Sequence, residues 1–266
     1  MAAETPPAPV AVPARLSASA KGSGPQTVVL LHGFGGHHGD WTDIQAGLTR
    51  QACVIAYDLP GHGRSIDVAG AGNASAMAKA VIFDLAERGV NRAHIAGFSM
   101  GGAVAALIGL RAPTLVASLT LVAPGGFGPQ INESLLRRLA CAGGDGLRAV
   151  LDEMSGPGFA TLTRDLAGAS ALHGAYGQRE KLEQIVKMIA RDGRQGEIPR
   201  ETLATLTMPV TVLWGDADPV LPYSQSAGLP PAFKLETLPG KGHMLLNEAR
   251  SAVLAAIRRS ILLSTP

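Results

Sequence analysis

Ala93-His94-Ile95-Ala96-Gly97-Phe98-Ser99-Met100-Gly101-Gly102-Ala103-Val104-Ala105-Ala106-Leu107 decides the reading of this chain. An apolar run enters a Gly-x-Ser-x-Gly sequence and leaves it as a helical run of small residues. That strand–turn–helix context is what holds a serine exposed at a sharp, strained turn. Glycine is needed at 97 and 101 because a Cβ there would collide with neighbouring elements. Two more stretches belong with it: Gly215-Asp216-Ala217-Asp218-Pro219 and Gly240-Lys241-Gly242-His243. A serine motif alone arises by chance in a chain with 33 glycines. The chain order Ser, Asp, His marks one architecture among several that use these residues together.

Working outward, Thr27-Val28-Val29-Leu30-Leu31, Cys53-Val54-Ile55-Ala56-Tyr57 and Ser118-Leu119-Thr120-Leu121-Val122-Ala123 are continuously apolar or nearly so, as strands covered on both faces are. Residues 74–88 carry a helical apolar pattern. From about Gly125 to Thr207 amphipathic helical stretches follow one another without a convincing strand. Alternation resumes at Val210-Thr211-Val212-Leu213-Trp214 and Phe233-Lys234-Leu235-Glu236-Thr237-Leu238, and a last helix runs from about Asn247 to Leu262. The pattern predicts an α/β fold, a mostly parallel central sheet flanked by helices with right-handed crossovers. Residues 15–124 and 208–266 form its core, and 125–207 a helical cap inserted after the strand at 118–123. Such a cap lies over the carboxyl ends of the strands, where ligands bind in open α/β sheets. Residues 1–14, rich in Ala and Pro, read as a mobile, extended tail.

Composition narrows the function. At 266 residues the chain can bury a large core, and its formal charge of +2 gives no argument for nucleic acid. No histidine or cysteine cluster has metal-ligand spacing, so no metal or other cofactor is expected. Cys53 reads as a buried strand residue and Cys141 as a helical one; unpaired cysteines fit a reducing compartment. No segment has the length of a membrane span and the first residues lack the apolar stretch of a secretory signal, so a cytoplasmic location is expected.

The chemistry follows from the motif order. Ser99 is the candidate nucleophile and His243 the base that takes its proton. Asp218, before Pro219, is the candidate orienting acid. Asp216 is its alternative, read more simply as stabilising the turn through its own backbone amides. Val122 to Gly128 contains no carboxylate, which favours Asp218 over an acid after the 118–123 strand. Glu248, at a helix start, is assigned to the helix dipole. The backbone N–H groups of Met100 and Phe34 are the candidate oxyanion donors. Of the other histidines, His32 is expected beneath the oxyanion loop and His94 far from the serine. His37, His38 and His62 read as solvated loop residues, with a place at the entrance as the alternative. Phe98, Phe127, Phe159, Tyr176 and Met244 are candidate pocket residues, each equally acceptable as ordinary core.

These elements resemble the α/β-hydrolase superfamily from about Pro25 to Leu262. The carriers are His32-Gly33-Phe34-Gly35-Gly36, Asp58-Leu59-Pro60-Gly61-His62-Gly63-Arg64-Ser65, the Ser99 motif, Trp214 to Asp218, and Gly242-His243. Ser118 to Pro124, Gly128-Pro129-Gln130-Ile131-Asn132 and Asp192-Gly193-Arg194-Gln195 are similar to the hydrolase-like C-terminal domain of the acetoin dehydrogenase E2 subunit. That resemblance implies acyl or acyl-thioester chemistry and association with a dehydrogenase complex. No Asp-Lys-Ala lipoylation site and no His-x-x-x-Asp-Gly acyltransferase motif is present. Dehalogenases and epoxide hydrolases resemble this fold but place Asp where Ser99 stands.

The expected function is a serine hydrolase of a small carboxylic ester or thioester. The rivals are an acyltransferase, a C–C bond or lactone hydrolase, and an idle hydrolase scaffold that binds a partner.

Overall fold

The computed structural model describes residues 15–175 and 177–263; the tail expected at 1–14 and the pocket candidate Tyr176 lie outside them. Six strands, β1 (Ala18–Leu31), β2 (Ala52–Tyr57), β3 (Ala93–Phe98), β4 (Val116–Val122), β5 (Val210–Gly215) and β6 (Phe233–Leu238), form one sheet in the order β2-β1-β3-β4-β5-β6. Every residue of β3 and β4 is buried, as continuous apolar runs at the centre of a parallel sheet require. At the edge, β6 fully buries only Phe233 and leaves Lys234, Leu235 and Thr237 exposed; the charged Lys234–Glu236 pair on it discourages pairing with another chain.

β1 is longer than the apolar run at 27–31. Its first residues sit in a descending register, Ala18 opposite Tyr57 and Lys21 opposite Val54. Past residues 22–26 the register ascends, with Thr27 opposite Cys53 and Leu31 opposite Tyr57. The polar sequence of that leading segment hid it, because its residues are largely exposed. Cys53 in β2 is half-buried, not fully buried, and packs against the core.

Helices α1 (Thr42–Leu48), α2 (Ala74–Glu87) and α3 (Met100–Arg111) connect the first strands. Between β4 and β5 lie α4 (Glu133–Cys141), α5 (Gly144–Glu153), α6 (Thr163–His173), α7 (Gln178–Ile189) and the one-turn α8 (Arg200–Leu203). After β6 come α9 (Leu245–Glu248) and α10 (Arg250–Leu263). In α4, Leu135, Leu136, Leu139 and Ala140 are buried at helical spacing, while Arg137 and Arg138 face water.

The β4–β5 insertion is tied to the strand ends at several points. Gln178, itself fully buried, accepts from the Gly63 amide and donates to the Gly61 carbonyl. Gln195 accepts from the Gly126 amide and donates to the Gly128 carbonyl. The first tie reaches the loop after β2 and the second the loop after β4. No helix among the described residues is long and apolar enough to cross a membrane.

Candidate active site

Ser99 stands between β3 and α3 with φ 52° and ψ −117°, a conformation that a residue bearing a Cβ rarely adopts. The turn is held from both sides. The Ser99 amide donates to the Val122 carbonyl, and the Ser99 carbonyl accepts from the amides of Gly102 and Gly125. A Cβ at Gly97 would lie 2.2 Å from the Gly101 carbonyl oxygen, and one at Gly101 2.3 Å from that of Leu31. Any other residue would therefore push α3 away from the sheet.

Ser99, His243 and Asp218 meet at the carboxyl end of the sheet, although they are far apart in sequence. Ser99 Oγ lies 2.9 Å from His243 Nε2, and His243 Nδ1 lies 2.8 Å from Asp218 Oδ2. A carboxylate accepts, so Nδ1 carries the proton and Nε2 is left to accept from the serine hydroxyl. Asp218 Oδ1 accepts the amides of Val220 and Leu221 at 2.8 Å each, which fixes the carboxylate plane. The Asp218 side chain is fully buried, whereas Ser99 keeps 9% of its surface exposed. Phe98 packs beside the imidazole with ring centroids 5.1 Å apart.

Two neighbouring carboxylates do other work. Asp216 Oδ1 accepts from the Gly240 amide, so it joins two loops and does not brace its own turn. Glu248 closes α9 instead of starting a helix. Its Oε2 accepts from the Gly242 amide at 3.0 Å and from Gly156 at 2.8 Å. The His243 amide also donates to the Met154 carbonyl. The histidine loop is thus clamped to the β4–β5 insertion.

The amides of Phe34 and Met100 have no protein acceptor among the described residues. Met100 opens α3, where the first N–H groups lack intrahelical partners. The Phe34 loop rests on two buried histidines. His32 Nδ1 donates to the Gly33 carbonyl at 2.7 Å and its Nε2 accepts from the Leu59 amide. His62 Nε2 accepts from the Gly35 amide, and its Nδ1 faces the Pro60 carbonyl. Burial lowers His32 to about 4 and His62 to about 3, so both are neutral at ordinary pH. His32 is where the sequence placed it, but His62 is fully buried and is no solvated loop residue. Its edge-to-face contact with His32, 4.9 Å between centroids, could not be read from two separate loops.

His37 caps the short turn at 38–41, and His38 Nδ1 lies 2.8 Å from Asp58. Burial alone would push the Asp58 carboxyl up. Hydrogen bonds from the His38 ring and from the His38 and Arg64 amides outweigh it and hold the group below the usual range. The same hydrogen bond raises His38. His94 donates to or accepts from Ser118 at the far end of β3, away from Ser99.

Two cavities of about 350 Å³ each meet at Ser99, with Phe34 and Leu136 also lining both. Of the pocket candidates, Phe98 and Met244 line the first. Phe127 does not line either; it is buried with the Arg200 guanidinium 5.7 Å from its ring centroid. Phe159 also lies outside both linings, half-buried in the loop between α5 and α6. Among the described residues no group of His, Cys, Asp or Glu side chains could hold a metal ion.

A model of the alpha/beta hydrolase family matches residues 28–257. Over 93% of its length the chain is 31% identical to the dihydrolipoyllysine-residue acetyltransferase component of the acetoin cleaving system of Cupriavidus necator. It spans 66% of that relative's length. It is also 30% identical, over 82% of its own length and 81% of the relative's, to the 2-hydroxy-6-oxononadienedioate/2-hydroxy-6-oxononatrienedioate hydrolase of Cupriavidus pinatubonensis. Among solved structures, the meta-cleavage product hydrolase of Pseudomonas fluorescens IP01 shares the fold with a TM-score of 0.80 at 20% identity. That match covers 94% of this chain and 95% of the other. The resemblance read from the motifs between about Pro25 and Leu262 is matched by the family model over residues 28–257.

Proposed function

The chain belongs to the alpha/beta hydrolase family, and from that premise we propose that it is a serine hydrolase of a small carboxylic ester or thioester. The observation that carries this reading is the continuous hydrogen-bonded chain from Ser99 through His243 to Asp218, at 2.9 and 2.8 Å. Ser99 Oγ attacks the carbonyl carbon as His243 Nε2 takes its proton. Asp218 keeps the proton on Nδ1 and stabilises the imidazolium. The Met100 and Phe34 amides receive the oxyanion. As the carbon–oxygen or carbon–sulfur bond breaks, His243 returns the proton to the leaving group. Water, deprotonated by His243, then releases the acid and restores Ser99. In this reading the β4–β5 insertion is a cap over the site, and the reaction needs no cofactor.

A second reading keeps the acyl-enzyme and changes the acceptor to a thiol, within a dehydrogenase complex. It is supported by the likeness to an acetyltransferase component of an acetoin cleaving system. The relative named as a hydrolase of 2-hydroxy-6-oxononadienedioate supports C–C bond cleavage with the same three residues. The test is labelling with a fluorophosphonate, wild type against Ser99→Ala, followed by p-nitrophenyl esters of increasing chain length. Labelling and ester turnover that vanish in Ser99→Ala are expected. Equal labelling of the variant, or none of the wild type, would sink the serine mechanism and bring the binding-scaffold reading forward.

A further inference from the structure

Two peptide units set where the Asp218 carboxylate points. The Val220 amide shares one planar unit with the Pro219 carbonyl, and the Leu221 amide shares the next with the Val220 carbonyl. In a trans unit the C=O and N–H point opposite ways, so holding the oxygen aims the hydrogen. Both amides donate to Asp218 Oδ1 at 2.8 Å. Both carbonyls are held by one residue of the β4–β5 insertion. Asn132 Nδ2 donates to the Pro219 oxygen at 3.1 Å, and the Asn132 backbone amide donates to the Val220 oxygen at 2.9 Å. The following unit is fixed from the core side, where the indole N–H of buried Trp214 donates to the Leu221 oxygen.

Asn132 has its own supports. Its Oδ1 accepts from the Leu135 amide and so caps α4. Its neighbours are pinned to the turn after α7: the Ile131 amide donates to the Gly193 carbonyl, and the Gly193 amide donates to the Glu133 carboxylate. α4 in turn carries Leu136 into the lining of both cavities. We propose that Asn132 is a positioning residue for Asp218: its two donors hold the peptide units whose N–H groups fix the carboxylate, and so tie the orientation of the acid to α4. Asn132 touches neither substrate nor the reacting atoms. Without its side-chain donor the Pro219–Val220 unit turns, and Asp218 Oδ1 loses the amide that the unit aims at it. The other carboxylate oxygen then no longer holds His243 Nδ1 in line, and the imidazole leaves the geometry in which Nε2 meets Ser99. Small misplacements of this kind are costly, because proton transfer needs the groups within hydrogen-bond reach.

This assignment rests on the serine-hydrolase reading, and its test separates positioning of the acid from capping of the helix. Asn132→Ser keeps an acceptor for the Leu135 amide but is too short to reach Pro219; Asn132→Ala keeps neither contact. Kinetics are read well below the melting transition of either variant. In both, kcat for p-nitrophenyl acetate and the rate of Ser99 labelling by a fluorophosphonate are expected to fall about tenfold or more, with KM little changed. The serine variant should recover melting temperature lost in the alanine variant and none of the lost kcat. Serine that restores kcat together with the melting temperature would reduce Asn132 to a helix cap and overturn the assignment. Wild-type kcat in both variants would overturn it as well, and Ser99 chemistry stands in either case. If the wild type takes no fluorophosphonate on Ser99, the hydrolase reading and the assignment fall together.

Discussion

At the scale of single residues, Ser99 occupies a backbone conformation that costs on the order of 1–3 kcal/mol. Hydrogen bonds to Val122, Gly102 and Gly125 hold it there. Asp218 acts in the proposed reaction by keeping the His243 proton on Nδ1. Asp218→Asn puts an amide where that carboxylate stood and favours the wrong tautomer. Steady-state kinetics should show kcat lower by about 10³–10⁴ with KM little changed; a loss below tenfold would remove Asp218 from the reaction. His62 is a positioning residue. His62→Phe deprives the Gly35 amide of its acceptor and should lower kcat by about tenfold, less than the ~10²–10³ of deleting an oxyanion donor. The Ser99 labelling rate should fall with it, while KM holds. A merely structural role would lower the melting temperature and spare kcat of the folded fraction.

At the scale of elements, the loop carrying His243 is joined to the β4–β5 insertion through Met154 and Glu248. Glu248→Ala leaves two buried amides without an acceptor, at about 1–3 kcal/mol. Urea unfolding should show that loss, and Glu248→Gln, which keeps one acceptor oxygen, should recover part of it. An alanine variant as stable as wild type would show that water serves these amides equally well. Glu248 was legible only as a helix-end carboxylate, because its second partner, Gly156, stands 92 positions away. The strands β3, β4 and β5 were legible because burial on both faces demands apolar residues throughout. The leading part of β1 was not, since its exposed residues carry no such demand.

At the scale of the whole molecule, three histidines are buried without charge. Burial is the main cause in each, lowering His32 and His94 to about 4 and His62 to about 3. His173 is lowered for the same reason. Below pH 6.5 the unfolded chain takes up these protons and the native state does not, so stability is lost as pH falls from 6.5 towards 4. His32, His62 and His94 each contribute about 1.4 kcal/mol per pH unit within that window. His38, raised by Asp58, opposes the trend by gaining stability as it protonates. Thermal melts from pH 7 to pH 4.5 should therefore show a falling Tm, with a shallower fall in His94→Asn. A Tm that rises with acid would contradict the neutral state of these rings.

The sequence by itself determined the order of strands and helices and the serine and histidine of the hydrogen-bonded chain, and it favoured Asp218 over Asp216 as the third member. Periodicity follows burial, and a serine between glycines at a strand end is a local geometric requirement. Tertiary structure alone decided which carboxylate faces His243, since Asp216 and Asp218 share the same turn and differ only in what they meet. It also buried His62, clamped Glu248 to the insertion and placed Phe127 outside the cavities. Each of these depends on the packing of segments remote in sequence, and local pattern carries no record of what lies across a cavity.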